Sequence, residues 1–554
     1  MRFAIGRTAL CGLMTTSALL GGCTTENVYN TIAAGGSAGT SSAHGGSNAN
    51  GGQGGSNANG GSNSGGNATG GTVDGNGGNA TGGSGGSVSS NGGTGTGGTG
   101  GPVTPVNLDT ATIYSVFTET YAGDKKLNSI TADLQRIHDL GFSTLYLLPV
   151  TLQFRKSING HDPVNSPYSV TDYKAIDPLY GTDADLKKLV QTAHGLGMQV
   201  VLDEVLNHAA WDNALLTTHP EYFAHTDGNT KDPNSIKASD FPDAAQLDYG
   251  TAGNGLAGYM EDMLVYWVKT FDIDGFRFDT ADNPYGSARR IPLDFWKELR
   301  GKLLAAKAGF FMLGESEDPE LVGVVFDADY GWKVWGQYIP GLRQVAGGPP
   351  EQSAGCGSCP AMTTMKAALA VQAPGSMTGF LPATRHVTLL QDYDAKLDFT
   401  IFGGVPNTMA AATFNFTFTG IPMIWAGEEV GNDMSDYNNH IPINWKSSNA
   451  SSFGAFYKSL ISLRNGNSTL QKGDFAWLDN SVADHVVSFS RSDASAKFVI
   501  EINFSNSDVS GTLSSPPSGT FTDVSPSGSP GGTTHPAPPN FTLKAWDFAV
   551  FRGK

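Results

Sequence analysis

The sequence predicts an α/β protein built on a (β/α)8 TIM barrel, with a small inserted domain after the third strand and an antiparallel β domain at the C-terminus. Three observations support this fold class. Strand-like segments separated by helix-like segments follow one another from residue 111 onward. The stretch 209–255 interrupts this alternation and is rich in Asp, Asn and Pro. Beyond residue 468, short runs of alternating polarity replace the helical periodicity.

Each predicted barrel strand is a short apolar run bounded by turn-forming residues. The eight runs are 113–117, 144–148, 199–203, 275–279, 310–314, 324–327, 386–390 and 423–426. Helical spacing between them is clear before Gly141, which can end a helix, and after Thr182, which can cap one. Eight parallel strands are the number that a closed barrel of this kind requires.

Four of these strands lead into a carboxylate: Asp203, Asp279, Glu315 and Asp392. The carboxyl ends of barrel strands meet at one face, where barrel enzymes carry their catalytic groups. A single acid at a strand end is usually a solvated loop residue or a helix cap, but four in register favour a shared function. Paired carboxyl groups are what the cleavage of a glycosidic bond requires.

The N-terminus predicts export. Arg2 and Arg7 form a positive region, and 9–20 is an apolar stretch too short to span a bilayer. It ends in Leu-Gly-Gly-Cys23, which resembles a bacterial lipoprotein box, so we expect 1–22 to be a signal peptide and Cys23 to carry lipid. An ordinary signal peptide cut nearby is the alternative. In the lipoprotein interpretation the protein is membrane-anchored, in the periplasm or at the cell surface.

Composition divides the rest of the chain. Residues 23–105 are dominated by Gly, Ser, Asn and Thr, and they contain no apolar run that could form a core, so we expect a disordered tether. Residues 106–468 are predicted to form the catalytic barrel, including the inserted domain at 209–255. The predicted C-terminal domain, a β-sandwich, covers 469–554.

Charge and cysteine usage exclude some functions. The net charge of −17, without basic clusters, argues against a nucleic-acid partner and is compatible with neutral sugars. Cys356 and Cys359 form a Cys-Gly-Ser-Cys motif, for which we expect a short-loop disulfide outside the cytoplasm; a redox pair or half a zinc site is the alternative. We expect a monomer that meets a membrane only through its lipid.

Several segments occur in the order known for one enzyme family. They are Asp203-Glu-Val-Leu-Asn207-His208, Gly275-Phe-Arg277-Phe-Asp279, Gly314-Glu315, the isolated Asp392, Gln246-Leu-Asp248-Tyr, Gly420 to Glu429, and Tyr168-Ser-Val-Thr-Asp-Tyr173. On these segments, from Ile113 to the C-terminus, the chain resembles the α-amylase family, also called glycoside hydrolase family thirteen. The resemblance implies a retaining glycosidase on a barrel.

The resemblance implies a role for each acid. Asp279 is the expected nucleophile, Glu315 the acid/base, and Asp392 a third carboxylate that holds sugar hydroxyls and stabilises the transition state. Arg277 lies two residues before Asp279 and therefore points to the same face of its strand. Its cation would keep Asp279 ionised and oriented.

Further substrate-binding residues follow from the same resemblance. His208 would hydrogen-bond the sugar at the cleavage subsite, and Tyr168 would stack under its ring. Asp203 would support this network from the end of its strand. The alternatives are a core histidine for His208 and ordinary packing for Tyr168.

The chain departs from the family at two places. The fourth signature usually reads Asn-His-Asp, but Gln391 precedes Asp392 here, and an amide hydrogen-bonds without carrying charge. We expect Gln391 to bind substrate, with weaker contacts or an altered specificity. Asp282-Asn283 replaces a common Lys-His, which puts contacts on the leaving side in doubt. Asn207 matches a family calcium ligand, so calcium is a candidate, while no cofactor is required.

The leading hypothesis is a retaining hydrolase that cleaves α-glucosidic bonds, mainly α-1,4, in starch-like glucans or maltooligosaccharides. A transglycosylase on the same scaffold, in which a sugar hydroxyl replaces water, is one alternative. A surface glucan-binding lipoprotein without catalysis is the other. The intact acids argue against the binding protein, whereas Gln391 favours it slightly.

Overall fold

The structure is a computed structural model that describes residues 105–282, 291–316, 318–330, 361–369, 385–392, 404–432 and 440–554. All of them belong to one unit covering 96–554. The predicted signal peptide, Cys23, nearly all of the tether, and the Cys356–Cys359 pair lie outside the described residues. In these ranges no helix combines the length and the apolar character needed to cross a membrane.

Eight parallel strands close into a barrel, which confirms the predicted fold class. The strands up to the end of the barrel are β1 (Ile113–Val116), β2 (Thr144–Leu147), β3 (Thr151–Gln153), β4 (Val170–Ile176), β5 (Gln199–Val205), β6 (His208–Ala210), β7 (Ala244–Gln246), β8 (Gly275–Asp279), β9 (Phe311–Gly314), β10 (Ala328–Asp329), β11 (Arg385–Thr388) and β12 (Ile421–Trp425). Around the barrel the order is β1-β12-β11-β10-β9-β8-β5-β2. Every residue of β1, β2, β5 and β8 is buried, as expected for parallel strands covered on both faces.

The predicted position of the sixth strand is wrong. Residues 324–327 do not form a barrel strand, and Phe326 makes only an isolated bridge to Val322; the strand is the two-residue β10, whose Asp329 is opposite Gly314 and His386. The apolar run belongs instead to a turn, because the N–H groups of Val325 and Phe326 both bond to the carbonyl of Leu321. A tight turn and a strand can use the same apolar residues, so the pattern alone did not separate them.

Helices cover the outside of the barrel. Their bounds are Thr118–Tyr121, Leu127–Leu140, Asp183–Gly195, Leu215–Thr218, Leu256–Phe271, Leu293–Ala306, Ala361–Leu369, Val405–Thr417, Ala450–Asn465 and Ser468–Lys472, with short 3-10 turns at Pro220–Tyr222, Pro233–Ser235 and Glu428–Val430. Gly141 ends the second helix in a left-handed conformation, at φ +106°. Thr182 starts the third through a capping box with Asp185. Both predicted boundaries are therefore confirmed.

The segment after the third barrel strand forms a small substructure of its own. Its β6 pairs with β7 in antiparallel register, which places His208 opposite Gln246. This pairing begins three residues after β5 leaves the barrel. The inserted segment therefore starts at the carboxyl face of the barrel, beside the strand-end acids.

The C-terminal strands form the predicted antiparallel domain. They are β13 (Asp474–Trp477), β14 (Val486–Ser492), β15 (Lys497–Asn503), β16 (Val509–Thr512), β17 (Phe521–Asp523), β18 (Asn540–Leu543) and β19 (Phe548–Gly553). Five of them form a sheet in the order β13-β14-β15-β19-β17, and β16 pairs with β18.

Two buried arginines connect this domain to the barrel. Arg491 on β14 donates from Nη1 to the carbonyls of Thr417 and Phe418, at 3.0 and 2.6 Å. Arg464 donates to the Phe416 carbonyl at 3.1 Å, and both arginines bond to the carbonyl of Leu470. These carbonyls include the end of the helix Val405–Thr417, where the helix dipole favours cations. The domain is therefore held by charge-assisted bonds in addition to apolar packing.

A buried histidine joins a long loop to the C-terminal sheet. Nδ1 of His535 lies 2.7 Å from Asp523 and its Nε2 lies 3.2 Å from Asp547. Its side chain is 2% exposed. Burial disfavours the imidazolium, but the bonds to Asp523 and Asp547 outweigh it and raise the pKa of His535 to about 9. The pKa of Asp523 is lowered to about 2, because its bonds to His535 and Ser525 outweigh burial.

His535→Gln is expected to lower the thermal midpoint by about 3 to 6 °C at pH 6. The raised pKa stabilises the fold fully below the ordinary histidine value near 6.5, and this stabilisation disappears as the pH rises through about 9. The two proteins should therefore converge at pH 10. Thermal unfolding measured at both pH values checks this, with His138→Gln on an exposed helix face as the control. An equal difference at pH 6 and pH 10 would contradict an ionic role.

Candidate active site

One guanidinium lies at the centre of the strand-end acids. Arg277 is completely buried. Its Nη1 donates to Asp203 at 2.8 and 2.9 Å and to Asp279 at 3.2 Å, while its Nη2 donates to Glu315 at 2.6 Å. Three predicted acids therefore share one cation.

Strand register explains this arrangement. Asp203 on β5 is directly opposite Arg277 on β8, and Val205 is opposite Asp279. On the other side, Phe278 is opposite Gly314 of β9, so Glu315 emerges next to Asp279. Since side chains alternate along a strand, Arg277 and Asp279 point to the same side.

The backbone after Asp279 is bent toward Glu315. Thr280 has φ +41°, an unusual conformation for a β-branched residue. In this conformation its N–H donates to the Glu315 carboxylate at 2.8 Å, and its hydroxyl donates to Asp279 at 3.2 Å. Strained residues of this kind are concentrated at functional sites. No sequence pattern predicts a positive φ at Thr280, so this residue is not among the predicted site residues.

Asp203 is tied to two tyrosines. The hydroxyl of Tyr146 donates to its Oδ2 at 2.5 Å and that of Tyr168 at 2.9 Å. Both rings are buried. Tyr168 thus lies beside the acids, with its ring 5.7 Å from the guanidinium carbon of Arg277, and its stacking on a sugar ring stays a prediction. Tyr146 was not identified from the sequence, because it lies in an apolar strand and resembles an ordinary core aromatic.

Burial raises the pKa of Asp279 well above its usual value, and the neighbouring carboxylate of Glu315 raises it further. Arg277 acts in the opposite direction. Asp279 therefore holds a proton to higher pH than an isolated aspartic acid, and the cation limits this effect.

Asp392 reaches the same group of residues through Tyr330. Its side chain is 1% exposed, and Tyr330 donates to its Oδ2 at 3.4 Å. The Tyr330 ring lies 4.9 Å from the guanidinium carbon of Arg277. Gln391 is also buried. Tyr330 was missed, because the sixth strand was placed four residues too early.

His208 lies in the inserted segment, where its ring packs against Phe241 at 4.9 Å between centroids. It is buried, and its Nδ1 is 3.4 Å from the side-chain nitrogen of Asn207. Asp282 lies on the other side of the nucleophile and accepts a bond from Ser316 at 2.9 Å. Asn283 lies outside the described residues.

Asn207, the candidate calcium ligand, lies two residues after β5, and calcium binding there stays a prediction from the sequence. Its backbone carbonyl already accepts bonds from the side-chain nitrogen of Gln246, at 3.0 Å, and from the N–H of Leu247, at 3.3 Å. Across the described ranges no three His, Cys, Asp or Glu side chains are grouped as a metal site requires. Calcium has no step in the chemistry derived below.

Comparisons with known proteins agree with this geometry. A model of the alpha-amylase catalytic domain matches residues 90–323. A cyclomaltodextrinase of Geobacillus thermopakistaniensis (strain MAS1) is 28% identical over 421 residues, which cover 70% of this chain and 63% of that protein. An intracellular maltogenic amylase of Bacillus subtilis (strain 168) is 27% identical over 388 residues, with 67% and 60% covered. The chain thus spans less than two thirds of the length of these relatives.

Solved structures show the same fold. A noncanonic maltogenic alpha-amylase from Thermotoga neapolitana superposes with a TM-score of 0.63 at 25% identity, covering 81% of this chain and 97% of the other. An alpha-amylase from Lactobacillus plantarum gives a TM-score of 0.64 at 25% identity, covering 81% and 99%.

Proposed function

We propose that the chain carries a catalytic domain of the alpha-amylase family and that it is a retaining glycoside hydrolase of α-glucans. One observation carries the proposal: Asp279 and Glu315 both accept hydrogen bonds from the same arginine, Arg277, at 3.2 and 2.6 Å. Retaining enzymes keep their two carboxyl groups close, whereas inverting enzymes separate them to admit a water molecule. The arginine shared by Asp279 and Glu315 holds both carboxyl groups close, which supports retention.

In the first step Glu315 donates its proton to the glycosidic oxygen as the bond from that oxygen to the anomeric carbon breaks. A carboxylate oxygen of Asp279 bonds to the same carbon from the opposite face. The leaving chain departs with a new hydroxyl group. The products of this step are a covalent glycosyl ester on Asp279 and an ionised Glu315.

In the second step a water oxygen attacks the anomeric carbon and the bond to Asp279 breaks. Glu315 accepts the proton of that water and is ready for another cycle. Two inversions give net retention, so the first product is the α-anomer. Asp392, Gln391 and His208 are proposed to hold the sugar hydroxyls during both steps, with Tyr168 against the sugar ring.

Arg277 sets the charge balance of this cycle. Burial and the neighbouring Glu315 raise the pKa of Asp279, and Arg277 opposes this increase and favours the ionised nucleophile. Its fixed fork also orients both carboxyl groups at once, which a point charge cannot do. Asp203 accepts hydrogen bonds from Tyr146 and Tyr168 and also binds the guanidinium, so it fixes the position of Arg277.

The substrate class follows from the relatives. Their names describe enzymes of cyclic maltodextrins, maltogenic enzymes and alpha-amylases. We therefore propose α-1,4-linked glucans or maltooligosaccharides as substrate.

Export, a lipid on Cys23 and a monomeric state remain proposals from the sequence. Metabolic labelling with a radioactive fatty acid tests the lipid by comparing the natural chain with Cys23→Ala.

The function is tested by incubating the purified protein with starch, pullulan, cyclodextrin and maltotriose. We expect release of short α-anomeric maltooligosaccharides from starch, followed by proton NMR before mutarotation is complete. Longer products at high maltotriose concentration would instead show transglycosylation. A β-anomer as first product would contradict retention, and no release from any substrate would contradict the hydrolase.

A further inference from the structure

A stacked pair of rings lies at the surface, where the loop between β3 and β4 meets the inserted segment. The imidazole of His161 is parallel to the indole of Trp211, with 3.9 Å between ring centroids and 14° between planes. Both residues remain partly exposed. Ile158 and Val164, beside His161 in the chain, are 37% and 50% exposed. These four residues are called the aromatic platform below.

The platform is rigid. Ile158 and His161 exchange two backbone bonds, of 3.0 and 2.8 Å, across a two-residue turn. The turn is Asn159-Gly160, and both residues have positive φ, as a type I′ hairpin turn requires. A tight hairpin thus holds His161 in place without help from a ligand, which reduces the entropy cost of binding.

Trp211 is fixed independently. Its Nε1 donates to the carbonyl of Pro242 at 3.1 Å. The next residue, Asp212, accepts a 2.6 Å bond from Thr171. The indole therefore has a defined orientation, although it lies at the surface.

Two chains of contacts connect the platform to the active site. Ser169, the neighbour of Tyr168, donates to Asp243, which follows Pro242 in the chain. Phe241, on the other side of Pro242, packs against His208. The segment 241–243 thus connects Trp211 of the platform to His208 and to the neighbour of Tyr168.

We infer that the aromatic platform binds further glucose units of the same α-glucan whose bond is cleaved at Asp279 and Glu315. This inference rests on the proposed glucan substrate. The apolar faces of sugar rings stack on flat aromatic side chains. The neighbouring acids Asp162 and Asp212, which are at least partly exposed, can accept bonds from hydroxyl groups, and they disfavour an anionic polymer. A neutral glucan chain that continues from the active site fits both the stacking surface and the acidic neighbours, because its sugar rings can stack and its hydroxyl groups can donate.

Trp211→Ala is the direct test, with Trp477→Ala in the C-terminal sheet as a matched control. We expect the KM for maltoheptaose to rise roughly five- to tenfold, with kcat within about twofold and a smaller change for maltotriose. Calorimetric titration of maltoheptaose into Asp279→Asn protein, with and without Trp211→Ala, should show the same loss of affinity. Trp211→Phe should recover most of it.

The outcomes separate this inference from the proposed function. If the natural chain cleaves maltoheptaose and Trp211→Ala behaves like it, the platform inference is wrong and the hydrolase stands. An equal loss for maltotriose and maltoheptaose would also overturn it. If the natural chain binds maltoheptaose without cleaving it and Trp211→Ala weakens the binding, the platform stands and the hydrolase fails.

Discussion

Asp279→Asn is expected to lower kcat on maltoheptaose by at least about 10⁴-fold, because the amide cannot form the covalent intermediate. The substitution keeps the shape of the side chain and removes its charge. Burial and Glu315 already raise the pKa of Asp279, so the folded protein tolerates the neutral form well. The thermal midpoint should therefore stay the same or rise slightly, since a repulsion between buried carboxylates is removed.

Reducing-end assays and thermal unfolding on the same preparations check both parts. Asp272→Asn is the matched control, because this aspartate has a side chain 72% exposed at a helix end. Its activity should remain within about twofold of the natural chain. Retention of more than about 1% activity by Asp279→Asn would contradict the assignment of the nucleophile.

The sequence predicts the acids well because the barrel imposes one geometry on all strand ends. Asp203, Arg277 and Asp279 are brought together by strand register alone, and register follows from buried parallel strands. The same holds for Glu315, one residue beyond β9. The prediction that these residues lie together depends only on the order of the strands, which the apolar runs in the sequence indicate.

Three residues that contact the acids, Tyr146, Thr280 and Tyr330, are not predicted from the sequence, and each has a physical reason. Tyr146 lies in an all-buried strand, where an aromatic side chain needs no further explanation than packing. Thr280 reaches Glu315 with its backbone N–H because its φ is positive, and a threonine in the sequence does not predict a positive φ. Tyr330 follows a strand of only two residues, too short for any periodicity to appear. Side-chain partners and local strain depend on tertiary contacts, so one-dimensional patterns do not contain them.

Arg277→Lys and Arg277→Gln separate the charge of this residue from its geometry. Lysine keeps the cation but cannot reach Asp203, Asp279 and Glu315 with one planar fork. We expect kcat/KM on maltoheptaose to fall about 10²- to 10³-fold in Arg277→Lys and further in Arg277→Gln. Lys307→Gln, which removes a lysine bound to Asp272 and Asp274 on the outside of the barrel, is the control and should remain near the natural activity.

The pH dependence of kcat/KM shows whether the Arg277 variants lose activity through the missing charge or through the missing geometry. Arg277 lowers the pKa of Asp279, so removing the charge must raise that pKa further. Because Asp279 acts as an ionised nucleophile, activity is lost as the pH falls through its pKa. The acidic limb of kcat/KM should therefore move up by about one pH unit or more in Arg277→Gln and by much less in Arg277→Lys. An identical acidic limb in both variants would mean that the guanidinium only positions the carboxyl groups. The glutamine variant can unfold, because Asp203 loses its buried partner. The lysine variant then decides between charge and geometry. A lower kcat/KM with an unshifted acidic limb in Arg277→Lys shows that the geometry of the guanidinium contributes apart from its charge.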